Sequence, residues 1–327
     1  MVHCTLNNVR AIFSLLLGVM FAVGIIFAMT AGGCSKTAQQ PQGKSFASPE
    51  EAVKALIDAC KRNDTQELIT IFGPEGKEVL LSGDEVADKT QLATFIENFD
   101  AKNWLDKKTP GTAILYAGKE DWPFPIPIVK KGEKWYFDVA TGKEEFLNRR
   151  IGRNELQVIK VMNGYVDAQR EYASKDRDND GVLEFAQKVR SEEGKKDGLY
   201  WPANEGEEMS PLGPFAAQAA KEGYKTNEAG PIPYHGYYYK ILTSQGKNAP
   251  GGEYDYVVNG NMIFGYALIA FPADYGNSGV MTFIINQHDT VFEKDLGKET
   301  ATLAATIEKY DPDESWKKVG DVFLAAD

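Results

Sequence analysis

Histidine is scarce in this chain: there are three in 327 residues, and His3 lies in the N-terminal segment. The remaining two, His235 and His288, cannot furnish a histidine-rich zinc site. Cysteine is equally rare, with Cys4, Cys34 and Cys60 set singly, which excludes a disulfide framework. Cys60 lies on an expected helix face in EEAVKALIDACKR and reads as a small buried apolar residue, not a nucleophile. Positive charge is in deficit, 36 Lys and Arg against 47 Asp and Glu, a net of −11. A duplex-binding surface needs a basic face, so nucleic acid is not an expected partner. The chain also lacks a glycine-rich phosphate loop ending in Gly-Lys-Ser/Thr and a dinucleotide fingerprint. Its nearest approach to a nucleophile elbow runs from Gly276 through Ser278, and Val280 stands where glycine is required. These gaps weigh against an enzyme. A paired-carboxylate glycosidase remains open, because separation in space is not written in a sequence.

What is present begins with the N-terminus. Arg10 is the only Lys or Arg before the 19-residue apolar run Ala11–Met29, which leads to Ala31, Gly32, Gly33 and Cys34. A positive start, an apolar core and small residues before a cleavage point make a secretory signal. Small residues directly before a cysteine, with a polar stretch behind it, resemble the bacterial lipobox. That resemblance implies cleavage before Cys34, lipidation of its sulfur and a membrane anchor held by several acyl chains. Ala31 stands where the lipobox usually has leucine, and the run is long enough to span a bilayer uncut. The same resemblance implies, from Ser35 after the cysteine in place of aspartate, the outer membrane over an inner-membrane anchor. The expected location is therefore the cell envelope, on the periplasmic side, with residues 1–34 as signal peptide and 35–45 as a flexible tether.

The remainder, 43% hydrophobic and 25% charged in the chain as a whole, is globular in composition and long enough for two domains. An α+β fold is expected, divided into residues 46–148 and 149–327. Ser48, Pro49 and Glu51 form a helix start, and Gly73 with Pro74 ends a second helix from Thr65. A third helix is expected over 88–105. After Pro110 the pattern turns to strands, with a hairpin between Phe124–Val129 and Lys134–Asp138. Helices followed by a curved hairpin resemble the NTF2-like domain, which implies a pocket. Residues 142–152, GKEEFLNRRIG, read as a join between domains, with Arg149, Arg150 and Arg153 paired to nearby acids such as Glu144 and Glu145. A long helix then starts at Asn154, carrying Val158, Met162, Tyr165 and Tyr172 on one stripe, and Gly164 is expected to allow close packing. After a loop-rich stretch and a short helix over 215–222, strands are expected over 237–242, 251–258, 262–271, 280–286 and 291–294. A helix over 300–310 closes the pattern. One long helix before an antiparallel meander resembles the globular half of pilin-like proteins. His235, before three tyrosines, reads as a hydrogen-bonded histidine at a strand end.

The sharpest motif follows the long helix. Asp176, Asp178 and Asp180 stand at the first, third and fifth places of a calcium-binding loop, and Gly181 permits its sharp turn. Val182 would offer its carbonyl and Glu184 stands at the ninth place, where water often bridges. Gln187 replaces the bidentate glutamate of position twelve, which predicts weak binding, on the order of millimolar. Such calcium would be structural, because a shell of protein ligands leaves no open position for chemistry. The bland alternative is a solvated Asp/Asn turn leading into a second short helix.

The phrases FASPEEAVKAL, NRRIGRNE, YVDAQREYAS, DRDNDGVLEFAQ, DGLYWP, PYHGYYYKILT and GYALIAFPADYGNSGVMTFI resemble the bacterial family called domain of unknown function 2950. The resemblance implies an exported protein and supplies no activity. The functional expectation is a lipoprotein that serves as a binding or assembly module for a protein or envelope polymer. Two alternatives stand beside it: a hydrolase acting on an envelope polymer, and a small-ligand binder using an NTF2-like pocket.

Overall fold

The computed structural model describes residues 43–225 and 232–320. The signal peptide, Cys34 and most of the tether lie outside them. The described residues belong to one compact unit. Among them no helix is long and apolar enough to cross a membrane.

Four helices open the fold. α1 (Pro49–Lys61) is capped by the Ser48 side chain, which accepts from the Glu51 N–H, with proline in the first turn. α2 (Thr65–Phe72) is capped by Asp64 and stopped by Gly73. α3 (Gly76–Leu80) and α4 (Glu85–Ala101) follow. They pack against a sheet of β1 (Asn103–Asp106), β2 (Thr112–Ala117), β3 (Trp122–Pro123), β4 (Ile128–Lys131) and β5 (Lys134–Phe137). The strand order is β1-β2-β4-β5, with β3 beside β2, and every pairing is antiparallel. Along β2 the burial alternates, with Ala113, Leu115 and Ala117 turned to the helices and Thr112, Ile114 and Tyr116 turned away. The apolar side chains of α1, α2 and this inner face form the first core, which includes Leu56, Ile71, Leu115 and Phe137.

The organising element is α5 (Val139–Tyr172), 34 residues and about 50 Å long. It begins well before Asn154. Asp138 caps it, accepting from the Thr141 N–H and hydroxyl. The expected join at 142–152 is helical, and the expected boundary at 148 falls within the helix. Gly142 and Gly152 suggest a break when read locally, yet burial decides otherwise. A Cβ on Gly142 would lie 2.4 Å from the Pro125 carbonyl oxygen, so glycine here is what lets α5 seat on the β3–β4 segment. Asn154 is buried in mid-helix, and its side-chain amide donates to the Ser278 carbonyl at 2.8 Å. The apolar stripe is borne out: Val158, Met162, Tyr165 and Tyr172 are all buried. Gly164 does allow close packing, since a Cβ there would lie 2.2 Å from the Phe215 ring.

After α6 (Gly213–Glu222) come β6 (Tyr237–Leu242), β7 (Ser244–Gln245), β8 (Tyr254–Asp255), β9 (Val257–Val258), β10 (Asn261–Met262), β11 (Ala267–Pro272), β12 (Met281–Asn286), β13 (Phe292–Asp295), α7 (Thr300–Thr306) and β14 (Lys317–Lys318). The second sheet runs β14-β13-β12-β11-β6, all antiparallel. It is covered by the second half of α5, giving a second core with Tyr237, Ile269, Phe283 and Ile285. The expected strand over 251–258 is two short pieces, because Tyr254–Asp255 pairs with β7 and Val257–Val258 with β10, with Tyr256 buried between them. The strand over 262–271 starts only at Ala267, and the closing helix ends at Thr306. The architecture is α+β.

Candidate metal centre

The loop grows from the end of α5. Arg177, the second residue of the motif, turns back under the helix. Its guanidinium donates to the carbonyls of Glu171 and Tyr172, pairs with Glu208 at 2.8 Å, and lies over the rings of Tyr172 and Trp201. Its side chain is only 4% exposed. That anchor leaves the flanking aspartates facing outward. Asp176 accepts from the N–H groups of Asn179 and Gly181, Asp178 from Asp180, and Asp180 from Val182. Asn179 and Gly181 both have positive φ, 64° and 88°, which glycine adopts without cost and asparagine tolerates.

The outcome is convergence of the three aspartates. One carboxylate oxygen from each of Asp176, Asp178 and Asp180 lies within 4.8 Å of the other two. Amide donors, first that of Gly181, hold the Asp176 carboxyl below its usual range. Glu184 and Gln187 point elsewhere. Glu184 accepts from the Met262 N–H at 3.3 Å, and Gln187 donates to the Gly260 carbonyl at 2.6 Å. Burial, followed by the three aspartates, raises the Glu184 carboxyl above its usual range. Val182 follows the turn, donating its N–H to Asp180.

The second short helix expected after the loop does not form. Residues 182–190 form an irregular segment because their backbone groups are engaged across the chain: Phe185 bridges Met262, and Arg190 bridges Tyr200. The buried Gln169 amide takes both the N–H and the carbonyl of Ala186. Asn261 completes the docking with a 2.6 Å bond to Asp180. Sequence reasoning missed Asn261, Arg177 and Glu208. Asn259-Gly260 directly after the apolar pair Val257-Val258 is a hairpin signal that could have placed the first. Nothing local marks the other two.

Elsewhere, Glu155 on α5 accepts from the N–H groups of Val280 and Met281, both at 3.0 Å, and clamps the start of β12. Burial, then Glu155, raises the nearby Glu293. A cleft of about 420 Å³ beside Asp274, Tyr275 and Lys298 holds one carboxylate, already engaged by the Asn277 amide. Cys60 is buried, and burial pushes its thiol up to about 12. Arg149 pairs with Glu145, as expected, whereas Arg153 reaches Gln91.

His235 stands two residues before β6 with φ 51°, its backbone N–H donating to the Tyr224 hydroxyl. Burial lowers its pKa, opposed by Glu222 at 3.6 Å and by Asp84, with Arg153 adding to the lowering. A group depressed in the folded state contributes stability that is present above its unfolded value and lost as pH falls through the folded one. Stability should therefore decline as pH drops below about 6.5, and a His235→Gln chain should show a flatter profile there, read by urea denaturation at stepped pH.

The arrangement as a whole defines an α+β protein with an acidic loop at one helix end. The family model described as Protein of unknown function (DUF2950) matches residues 43–319, and the chain belongs to that family. No curated protein and no solved structure gives a significant match.

Proposed function

We propose that this is a cell-envelope protein, tethered through a lipid on Cys34, which works as a binding or assembly module and uses calcium as an internal brace. The observation that carries the calcium reading is the convergence of Asp176, Asp178 and Asp180 on one turn. Hard cations want several oxygens on one point. Arg177 supports the reading further, since it holds the loop open from beneath without occupying it. Bound there, calcium would fix the end of α5 against the β9–β10 hairpin, through Asp180 and Asn261. Exposed aromatic side chains, Trp104, Trp122 and Phe264 among them, favour a module with an external partner.

Calorimetric titration with calcium chloride tests the brace. The expected dissociation constant is on the order of millimolar. At tenfold excess over that constant the fold should gain about 1.4 kcal/mol, visible as a rise in melting temperature of a few degrees. Asp178→Asn together with Asp180→Asn should abolish the heat and the rise. Silence up to about tenfold above the millimolar range would remove the calcium reading. For the tether, the mass of the mature N-terminus from bacterial membranes should show acylated Cys34, and Cys34→Ala should release the chain.

A further inference from the structure

Helices α4 and α5 flank a groove that the first core only partly fills. None of the 17 residues of α4 is fully buried, and its apolar stripe, Phe95 included, stays half-exposed. Phe124 lies between the two helices, its ring 5.3 Å from Phe95 on α4 and 6.5 Å from Phe146 on α5. All three rings are half-buried. Trp122 stands two residues before Phe124 and on the same side of the chain. It pairs with Ala117, which faces the helices, and is 62% exposed. The neighbouring Gly118 N–H bonds the Asn98 carbonyl, so this tryptophan marks the end of the groove nearest the last turn of α4.

The other end carries a cation. Arg153 lies two turns along α5 from Phe146, about 10 Å away and on the same stripe. Its guanidinium donates at 2.9 Å to the side-chain carbonyl of Gln91, one turn before Phe95 on α4. That acceptor is neutral. Among the described residues no carboxylate pairs with Arg153, and desolvation lowers its pKa with no acid near enough to offset the effect. Its neighbours on α5 differ: Arg149 pairs with Glu145, and Arg150 is bound by carbonyls and Asn277.

The groove is therefore apolar along its length and charged at one tip. Ligand sites have this composition, with rings supplying contact area and a few polar groups fixing orientation. A planar guanidinium with spare donors takes a carboxylate through two parallel hydrogen bonds, which are stronger than its bond to an amide. The complementary molecule has one carboxylate at its end and an unbranched apolar chain behind it. A second copy of the chain suits the groove less well, because it would have to bring an acid and an apolar ridge to the same narrow line under two-fold symmetry.

We propose that the groove between α4 and α5 binds a free fatty acid, its carboxylate on Arg153 and its acyl chain along Phe95, Phe124 and Phe146 toward Trp122. The inference uses neither the acidic loop nor the lipid on Cys34, so its fate is independent of both.

The test titrates the chain from Pro41 to Asp327, which holds the whole compact unit, with sodium dodecanoate in a calorimeter. Saturable binding of one molecule per chain is expected. Each methylene removed, down through decanoate to octanoate, should weaken it about fourfold. Arg153→Gln should weaken dodecanoate about tenfold or more and leave the affinity for 1-dodecanol unchanged. A dodecanoate brominated at its last carbon should quench tryptophan fluorescence, and the quenched part should disappear in Trp122→Phe, with the tryptophans at 104, 135, 201 and 316 as internal controls. Phe95→Ser should weaken acid and alcohol alike. If that variant fails to melt cooperatively, the variants at Arg153 and Trp122, both exposed positions, decide alone. Absence of saturable heat would overturn the proposal, as would unchanged affinity in Arg153→Gln or quenching that persists in Trp122→Phe. A dimer that Trp122→Glu dissociates would assign the groove to a second copy and overturn it as well.

Discussion

Arg150→Ala is expected to destabilise the fold by about 3–5 kcal/mol, measured as a shift of the urea midpoint followed by circular dichroism. Arg150 is 3% exposed and lies on α5 between the two cores. Its guanidinium donates to the carbonyls of Glu78 and Val79 at the end of α3 and to the Asn277 side chain in the turn before β12. Asp88, itself half-buried with its carboxyl raised by that burial, lies close enough to interact with it. Truncation would strand two carbonyls and a carboxylate away from water, and each buried polar group left unpaired costs about 1–3 kcal/mol. Arg150→Lys keeps the charge but not the planar fork that reaches several acceptors at once, so it should recover less than half of the loss. A midpoint unmoved by Arg150→Ala would show that the guanidinium stitches nothing together.

The second large effect is at Asp84. Its carboxylate is 2% exposed and serves three donors: the Ala87 N–H in the first turn of α4, the Tyr224 hydroxyl and the Gly236 N–H. Removing it costs a helix cap, worth about 1 kcal/mol, and leaves two further buried donors without an acceptor. Asp84→Ala should lower stability by about 3 kcal/mol or more. Tyr224→Phe, which removes one donor and leaves the carboxylate its other partners, should cost about 1 kcal/mol. If the two variants proved equal under the same denaturation assay, the Gly236 and Ala87 bonds would carry nothing.

These two residues also show where sequence reading stops. Starts and stops of α1 and α2 were legible, because Ser48, Pro49, Asp64 and Gly73 act on neighbours within four positions. The aspartate triad was legible for the same reason, its spacing being local. Arg150 meets Asn277 across 127 positions and Asp84 meets Gly236 across 152, and no periodic pattern encodes such pairs. The start of α5 was misplaced because Gly142 and Gly152 weaken helix propensity by about 1 kcal/mol each, while tertiary burial of Gly142 and Arg150 outweighs that. The missing helix after the acidic loop is the converse case. Its polar pattern permits a helix, but Met262, the Gln169 side chain and the Leu199–Tyr200 backbone claim the backbone groups a helix would need. β1 was absorbed into an overlong α4, since four residues with an exposed tryptophan carry little strand signal.

Because α5 supplies side chains to both cores, with Val139 in the first and Val158 to Tyr172 in the second, it acts as a shared spine. Melting either core would strip the apolar contacts from half of one continuous helix and expose the Arg150 stitch to water. The two halves should therefore lose structure together, in one cooperative step. A genetic split at residues 151–153 should yield two fragments that regain order only when mixed. The same dependence would prevent either half from being inherited alone, in keeping with a family whose pattern runs unbroken from residue 43 to 319.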